Sequence, residues 1–225
     1  MPNKIRVIIT GATGMVGEGV LHECLNHPLV EQVLVVNRAS IGMEHPKLVE
    51  ILHKNFFDLS SIEGHLYGYN ACFFCLGVSS VGMKEEKYTK ITYKLTLNFA
   101  NTLLKLNHDM TFCYVSGAGT DSTEKGRSMW ARVKGKTENA LAELPFEQEF
   151  NFRPGFMQPT KGLKNTLGLY KYLGWLYPAV HKLFPNSAST LAELGQAMIK
   201  AAVIGYPKQT LEVKDIVKLA NTEIG

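Results

Sequence analysis

Apolar residues in this chain fall into short unbroken runs, separated by longer stretches in which they recur every three or four positions. Ile5, Val7, Ile8 and Ile9 form the first run, and Val16, Val20, Leu21 and Leu25 follow at helical spacing. Short apolar runs bounded by turn residues predict buried strands, and the three-to-four spacing predicts helices with one covered face. Strands are expected over 32–36, 49–53, 71–76, 110–116 and 149–152, the last stopped by Pro154 and Gly155. Helices are expected over 84–106, where Ile91, Leu95, Phe99, Leu103 and Leu106 share a face, and over 130–144, ended by Pro145.

Strands alternating with helices of this length predict an α/β fold, a parallel sheet covered on both faces. Right-handed crossovers then give a doubly wound sheet of strand order 3-2-1-4-5-6, with ligand at the carboxyl ends of the strands. No linker divides the chain, so 1–225 is expected to be one domain, with 156–225 adding a small helical substrate-side region. Within it, 167–184 is rich in Leu, Tyr and Trp but broken by Gly168, Gly174 and Pro178. That stretch is too interrupted to span a bilayer and reads as short packed helices or as an apolar wall over a pocket. An amphipathic helix over 189–202 and a strand or helix pair over 211–219 complete the chain.

The chemistry concentrates at the first strand-to-helix junction, where Gly11, Gly14 and Gly17 follow the apolar run directly. Glycine at 11 supplies the positive φ needed to leave the strand, at 14 it lets a diphosphate approach bare backbone, and at 17 it lets helix and sheet pack closely. The new helix, starting near Met15, offers unpaired N–H groups and a positive dipole end to an anion. The second strand ends in Asn37 and Arg38 with no carboxylate. An acidic residue there would hold a ribose 2′-hydroxyl, whereas arginine suits a 2′-phosphate, so NADP(H) is the expected cofactor and NAD the alternative. Asp58 and Leu59 follow the third strand, where Asp58 either contacts the adenine or caps a helix near Ser60.

Composition narrows the partners. The 225 residues carry a formal charge of +4 spread without a Lys/Arg cluster, so a small-molecule substrate is expected and nucleic acid is not. Cys72 and Cys75 form a Cys-x-x-Cys spacing inside an apolar run, where i and i+3 point to opposite faces, so both are expected in the core. No histidine, cysteine or carboxylate grouping has metal-ligand spacing. No targeting segment or membrane span is read from the sequence, so a cytoplasmic protein, monomer or homodimer, is expected.

Several segments together resemble the short-chain dehydrogenase/reductase superfamily. They are Thr10-Gly-Ala-Thr-Gly-Met-Val-Gly17, Cys75-Leu-Gly77, Ser116, Lys134 and Arg153-Pro-Gly155. The likeness is strongest to its atypical NAD(P)-binding Rossmann branch, which includes NmrA-like, Tat-interacting-protein-like and epimerase/dehydratase-related members. It implies cofactor contacts from Thr13, Met15, Val16, Leu76, Gly77 and Pro154 beside the residues already named. It also implies a serine that polarises the substrate carbonyl, here Ser116, and a tyrosine acid/base four residues before a ribose-binding lysine, here Lys134.

Trp130 stands where that tyrosine is expected. Indole N–H donates but does not titrate in water, so another group must move the proton, or none is needed. Tyr93, Tyr114, Asp121 and Glu124 are the candidate donors; a quinone-like acceptor would need none. The leading expectation is an NADP-dependent oxidoreductase acting on a small apolar carbonyl or quinone-like substrate. A non-catalytic NADP(H)-sensing module and a nucleotide-sugar epimerase/dehydratase-like enzyme are the alternatives. The roughly 70 residues after Arg153 leave little for a sugar-nucleotide lobe, counting against the latter.

Overall fold

The computed structural model describes residues 4–165 and 187–224. Strands β1 (Ile5–Thr10), β2 (Val30–Asn37), β3 (Leu48–Leu52), β4 (Ala71–Phe74), β5 (Thr111–Val115), β6 (Gln148–Arg153) and β9 (Thr210–Glu212) form one parallel sheet. Their order is β3-β2-β1-β4-β5-β6-β9, so the expected 3-2-1-4-5-6 arrangement is present with one strand added at its edge. β1 sits centrally: Ile9 pairs with Val35 on one side and Phe73 on the other. The direction of winding reverses there, opening a crevice beyond the carboxyl ends of β1 and β4.

Successive β1 side chains enter opposite cores, which is why the strand reads as an unbroken apolar run. Val7 and Ile9 pack with helices α1 (Met15–Asn26), α6 (Leu191–Ile204) and α7 (Val213–Ala220) through Val20, Leu194 and Ile216. Ile8 packs on the other face with α2 (Glu63–Leu66), α4 (Leu95–Leu106) and α5 (Met129–Ala142) through Leu66, Phe99 and Leu141. Cys72 lies in the second core and Cys75 packs against the first; both are free thiols whose pKa burial raises.

Three features depart from the sequence pattern. The helix expected over 84–106 is α3 (Glu85–Thr89) joined to α4 by a π turn, Lys90–Lys94. A small parallel pair, β7 (Phe156–Gln158) and β8 (Ala188–Thr190), precedes α6. α6 begins at Leu191 because Thr190 caps it: Glu193 N donates to Thr190 Oγ1 at 3.0 Å, and Thr190 N donates to Glu193 Oε2 at 2.7 Å. The stretch over 211–219 resolves into both elements, β9 then α7. The 167–184 stretch lies outside the described residues. Among the described residues no helix is long and apolar enough to cross a membrane.

Candidate active site

The turn leaving β1 is built from bare main chain. Gly11 takes φ +72°, and a Cβ there would lie 2.8 Å from Leu76 N on β4's exit loop. A Cβ on Gly17 would lie 2.2 Å from the Gly11 carbonyl oxygen, so this helix turn touches the loop with no room for a side chain. Gly14 caps α1 without a side-chain hydrogen bond, which leaves the first-turn N–H groups for another acceptor. Met15 is buried and Val16 half-buried against the core, so these two offer main chain only. Thr13 is exposed at the rim.

Asn37 closes the floor. Its side chain is 3% exposed; Oδ1 accepts from Ala12 N at 3.2 Å, whereas Nδ2 is buried without a partner. A buried donor left unpaired is costly, and an acceptor arriving in the cleft would relieve it. Arg38, next in sequence, is exposed and makes no hydrogen bond or ion pair among the described residues. Gly11, Gly14, Asn37, Arg38, Leu76 and Gly77 all line one cleft of about 240 Å³. An orphaned amide, a helix start and a free guanidinium around bare glycine backbone match the ribose, diphosphate and phosphate groups of a dinucleotide.

Of the two readings left open for Asp58, the structure shows the contact with Ser60, and it places Leu59 in the core. Asp58 Oδ1 accepts from Ser60 N at 3.1 Å and Ser60 Oγ at 2.7 Å, bonds that hold its carboxyl below the usual range and close a local turn just before the short helix. Leu59 is 3% exposed inside the core. The aromatic wall of the cleft is Phe56, which the sequence reading missed because a core phenylalanine and a cleft phenylalanine carry the same apolar signal.

A second cluster lies at the carboxyl end of β5. Trp130 and Lys134 sit one turn apart on α5, and the indole packs over Gly119: a Cβ there would be 3.6 Å from the ring. Lys134 Nζ donates to the Ser116 carbonyl oxygen. Burial pulls its pKa down to about 8, and Glu138, one further turn along, acts in the opposite direction. Gly135 fixes this face of α5 against the preceding loop, since a Cβ there would overlap the Asp121 carbonyl.

The Ser116 hydroxyl is already bonded within the protein: it is buried and donates to Glu138 Oε1 at 2.5 Å, with the Phe152 carbonyl oxygen 3.1 Å away. Glu138, 3% exposed, also receives Arg153 Nε and Nη2, while Arg153 Nη1 reaches Glu212 at 3.1 Å. Pro154 is buried, and its carbonyl accepts Ala118 N at 2.9 Å, tying the β5 and β6 exits together. Glu138 was legible in principle as the i+4 neighbour of Lys134.

Tyr93 is directed elsewhere: Lys136 Nζ lies 5.0 Å from its ring centroid, and positions 134 and 136 are about 200° apart around α5. Tyr114 is buried in the second core, and burial raises its phenol pKa. Asp121 accepts from Thr123 and Gly126, and Glu124 accepts from Asn139, so both organise the loop.

Residues 7–127 match the NAD dependent epimerase/dehydratase family. The chain is 26% identical over 159 residues to Protein HTATIP2 of Rattus norvegicus, covering 70% of this chain and 64% of that protein. It is 26% identical over 158 residues to "Protein fmp52, mitochondrial" of Emericella nidulans, covering 67% and 66%. The matches thus span just under two thirds of the length of these curated relatives. Among solved structures, MoeE5 in complex with UDP-glucose and NAD superposes with a TM-score of 0.67 at 14% identity, covering 96% of this chain and 80% of that one.

Proposed function

The chain belongs to the NAD dependent epimerase/dehydratase family, an NAD(P)-binding Rossmann-fold group, and from that premise we propose that it binds NADP(H) and exchanges hydride with a small carbonyl or secondary-alcohol substrate. The observation that carries this reading is the convergence, in one cleft, of glycine main chain, the unpartnered Asn37 amide and the free Arg38 guanidinium. Bound there, the coenzyme supplies or accepts hydride. Main-chain N–H groups of Met15 and Val16 hold its diphosphate, Gly14 N donating instead to the Gly11 carbonyl oxygen at 2.9 Å, while Asn37 holds its adenosine ribose and Arg38 the 2′-phosphate. Lys134 holds the nicotinamide ribose, while Trp130 walls the substrate side and excludes water.

A nucleotide-sugar epimerase or dehydratase is the second reading, favoured by the family match and by the likeness to MoeE5, whose ligands are UDP-glucose and NAD. That likeness extends over 80% of MoeE5, which weakens the objection drawn from the short C-terminal region. Both readings share a first hydride transfer at a carbon bearing oxygen. The test is NADPH and NADH oxidation against aldehydes, ketones and quinones, beside UDP-glucose conversion with NAD⁺ or NADP⁺. NADPH oxidation by an apolar carbonyl is expected. UDP-glucose turnover alone would establish the second reading, and NADPH binding without any turnover would leave a sensing role.

A further inference from the structure

Hydride delivery to a carbonyl carbon places negative charge on its oxygen, which a positioned proton donor relieves. On the coenzyme-binding reading above, that oxygen lies beyond the ends of β4 and β5, beside Lys134. Other titratable groups of the elements packed there are engaged or lie on another face, as Tyr93 does with its ring against Lys136. Tyr114 on β5 and Tyr88 on α3 are fully buried, Tyr88 bonded to Thr92. Glu138 is paired with Arg153 on β6, and Asp121 is held below its usual range by hydrogen bonds from its own loop. Trp130 does not titrate. Lys134 differs: its amine has three protons, and the one acceptor among the described residues is the Ser116 carbonyl.

We propose that Lys134 is the catalytic acid and base at the substrate oxygen, and that Glu138 is its positioning residue, acting through Ser116. Glu138 Oε1 takes the Ser116 hydroxyl at 2.5 Å and Arg153 Nε at 3.0 Å, which fixes the strand end whose carbonyl holds the amine. Burial brings the amine down to about 8 while the Glu138 charge favours the ammonium, so it is charged at neutral pH yet ready to release a proton. In reduction, an N–H bond of the Lys134 ammonium breaks and an O–H bond forms on the substrate. The carbonyl carbon receives hydride from the dihydronicotinamide, giving an alcohol and oxidised coenzyme, and the neutral amine recovers its proton from water. In alcohol oxidation the amine takes the hydroxyl proton instead.

Lys134→Arg separates charge from proton release, because a guanidinium keeps its proton. Reductive ¹³C-methylation of the whole protein reads the amine directly by NMR, without turnover. One dimethyl-lysine resonance is expected to titrate near pH 8, apart from the bulk near about 10.4; Lys200, which burial also lowers, is assigned separately by Lys200→Arg. The resonance near pH 8 should vanish in Lys134→Arg and move to lower pH in Glu138→Gln, where the favouring charge is lost. Ser116→Ala, which spares the Glu138–Arg153 pair, provides a second route should Glu138→Gln unfold; its kcat should fall about tenfold or more with the KM for NADPH unchanged. With NADPH and 4-nitrobenzaldehyde, kcat should fall as pH rises through the same midpoint, and Lys134→Arg should lose about a hundredfold or more in kcat, a larger loss than any change in its NADPH affinity, since the guanidinium still donates to the ribose. A lysine at 134 titrating with the bulk, an Arg variant as fast as wild type, or a wild type that binds NADPH yet reduces no aldehyde would overturn the proposal. Failure of wild type to bind NADPH by calorimetry contradicts the coenzyme reading itself, which tells the two failures apart.

Discussion

Arg153 grips both carboxylate oxygens of Glu138, Nε on Oε1 at 3.0 Å and Nη2 on Oε2 at 2.5 Å, and so joins the end of β6 to the middle of α5. Both side chains are largely buried, 12% and 3% exposed. Glu138→Ala would therefore leave a buried guanidinium with Glu212 as its remaining ion-pair partner. Urea melts should show a loss of about 3–5 kcal/mol, and an unchanged midpoint would mean that solvent already reaches the pair.

Gly17→Ala places a methyl 2.2 Å from the Gly11 carbonyl oxygen, backbone that cannot rotate away. Overpacking of this kind costs about 1–3 kcal/mol, and the shift should distort the turn that faces the diphosphate. A thermal melt with and without NADPH should show a lowered midpoint in the variant and loss of the coenzyme-induced increase.

Arg38 is exposed at the rim of the cleft without a partner among the described residues. Arg38→Ala should weaken NADPH binding about ten- to a hundredfold and leave NADH binding nearly unchanged. Equal loss for both coenzymes would show that the guanidinium does not meet the 2′-phosphate.

Local signals were read well and long-range ones were not. The run into Gly11, Gly14 and Gly17 is contiguous, and its chemistry follows from backbone sterics, so the turn and the strand order were legible in the chain. The bond from Ser116 to Glu138 was not legible, because the two lie 22 positions apart and meet only when α5 packs on the β5–β6 pair. The placement of Tyr93 beside Lys136 was hidden for a different reason. The π turn over Lys90–Lys94 adds a residue to the helix, rotating its phase by about 100°, and no regular period reveals that. Asp58 carried two equivalent readings, and only the Ser60 hydrogen bonds separate them.

Glu149 gives a pH prediction. It is 7% exposed, its Oε1 lacks a partner, and burial pushes its pKa up to about 8. The folded pKa exceeds the unfolded value, so the native state keeps a proton that the unfolded chain releases, and stability falls as pH rises between about 4.5 and about 8. Glu149→Gln removes that dependence. The variant should exceed wild type by roughly 1–4 kcal/mol at pH 8.5 and match it near pH 4, measured by denaturant melts.

Isothermal titration of the purified chain with NADPH and NADH tests the central claim most directly, since it needs no substrate. One site per chain is predicted, with NADPH bound about ten- to a hundredfold more tightly than NADH. Heat with neither coenzyme, or equal affinity for both, would contradict the assignment of the glycine turn, Asn37 and Arg38 as a NADP(H) cradle.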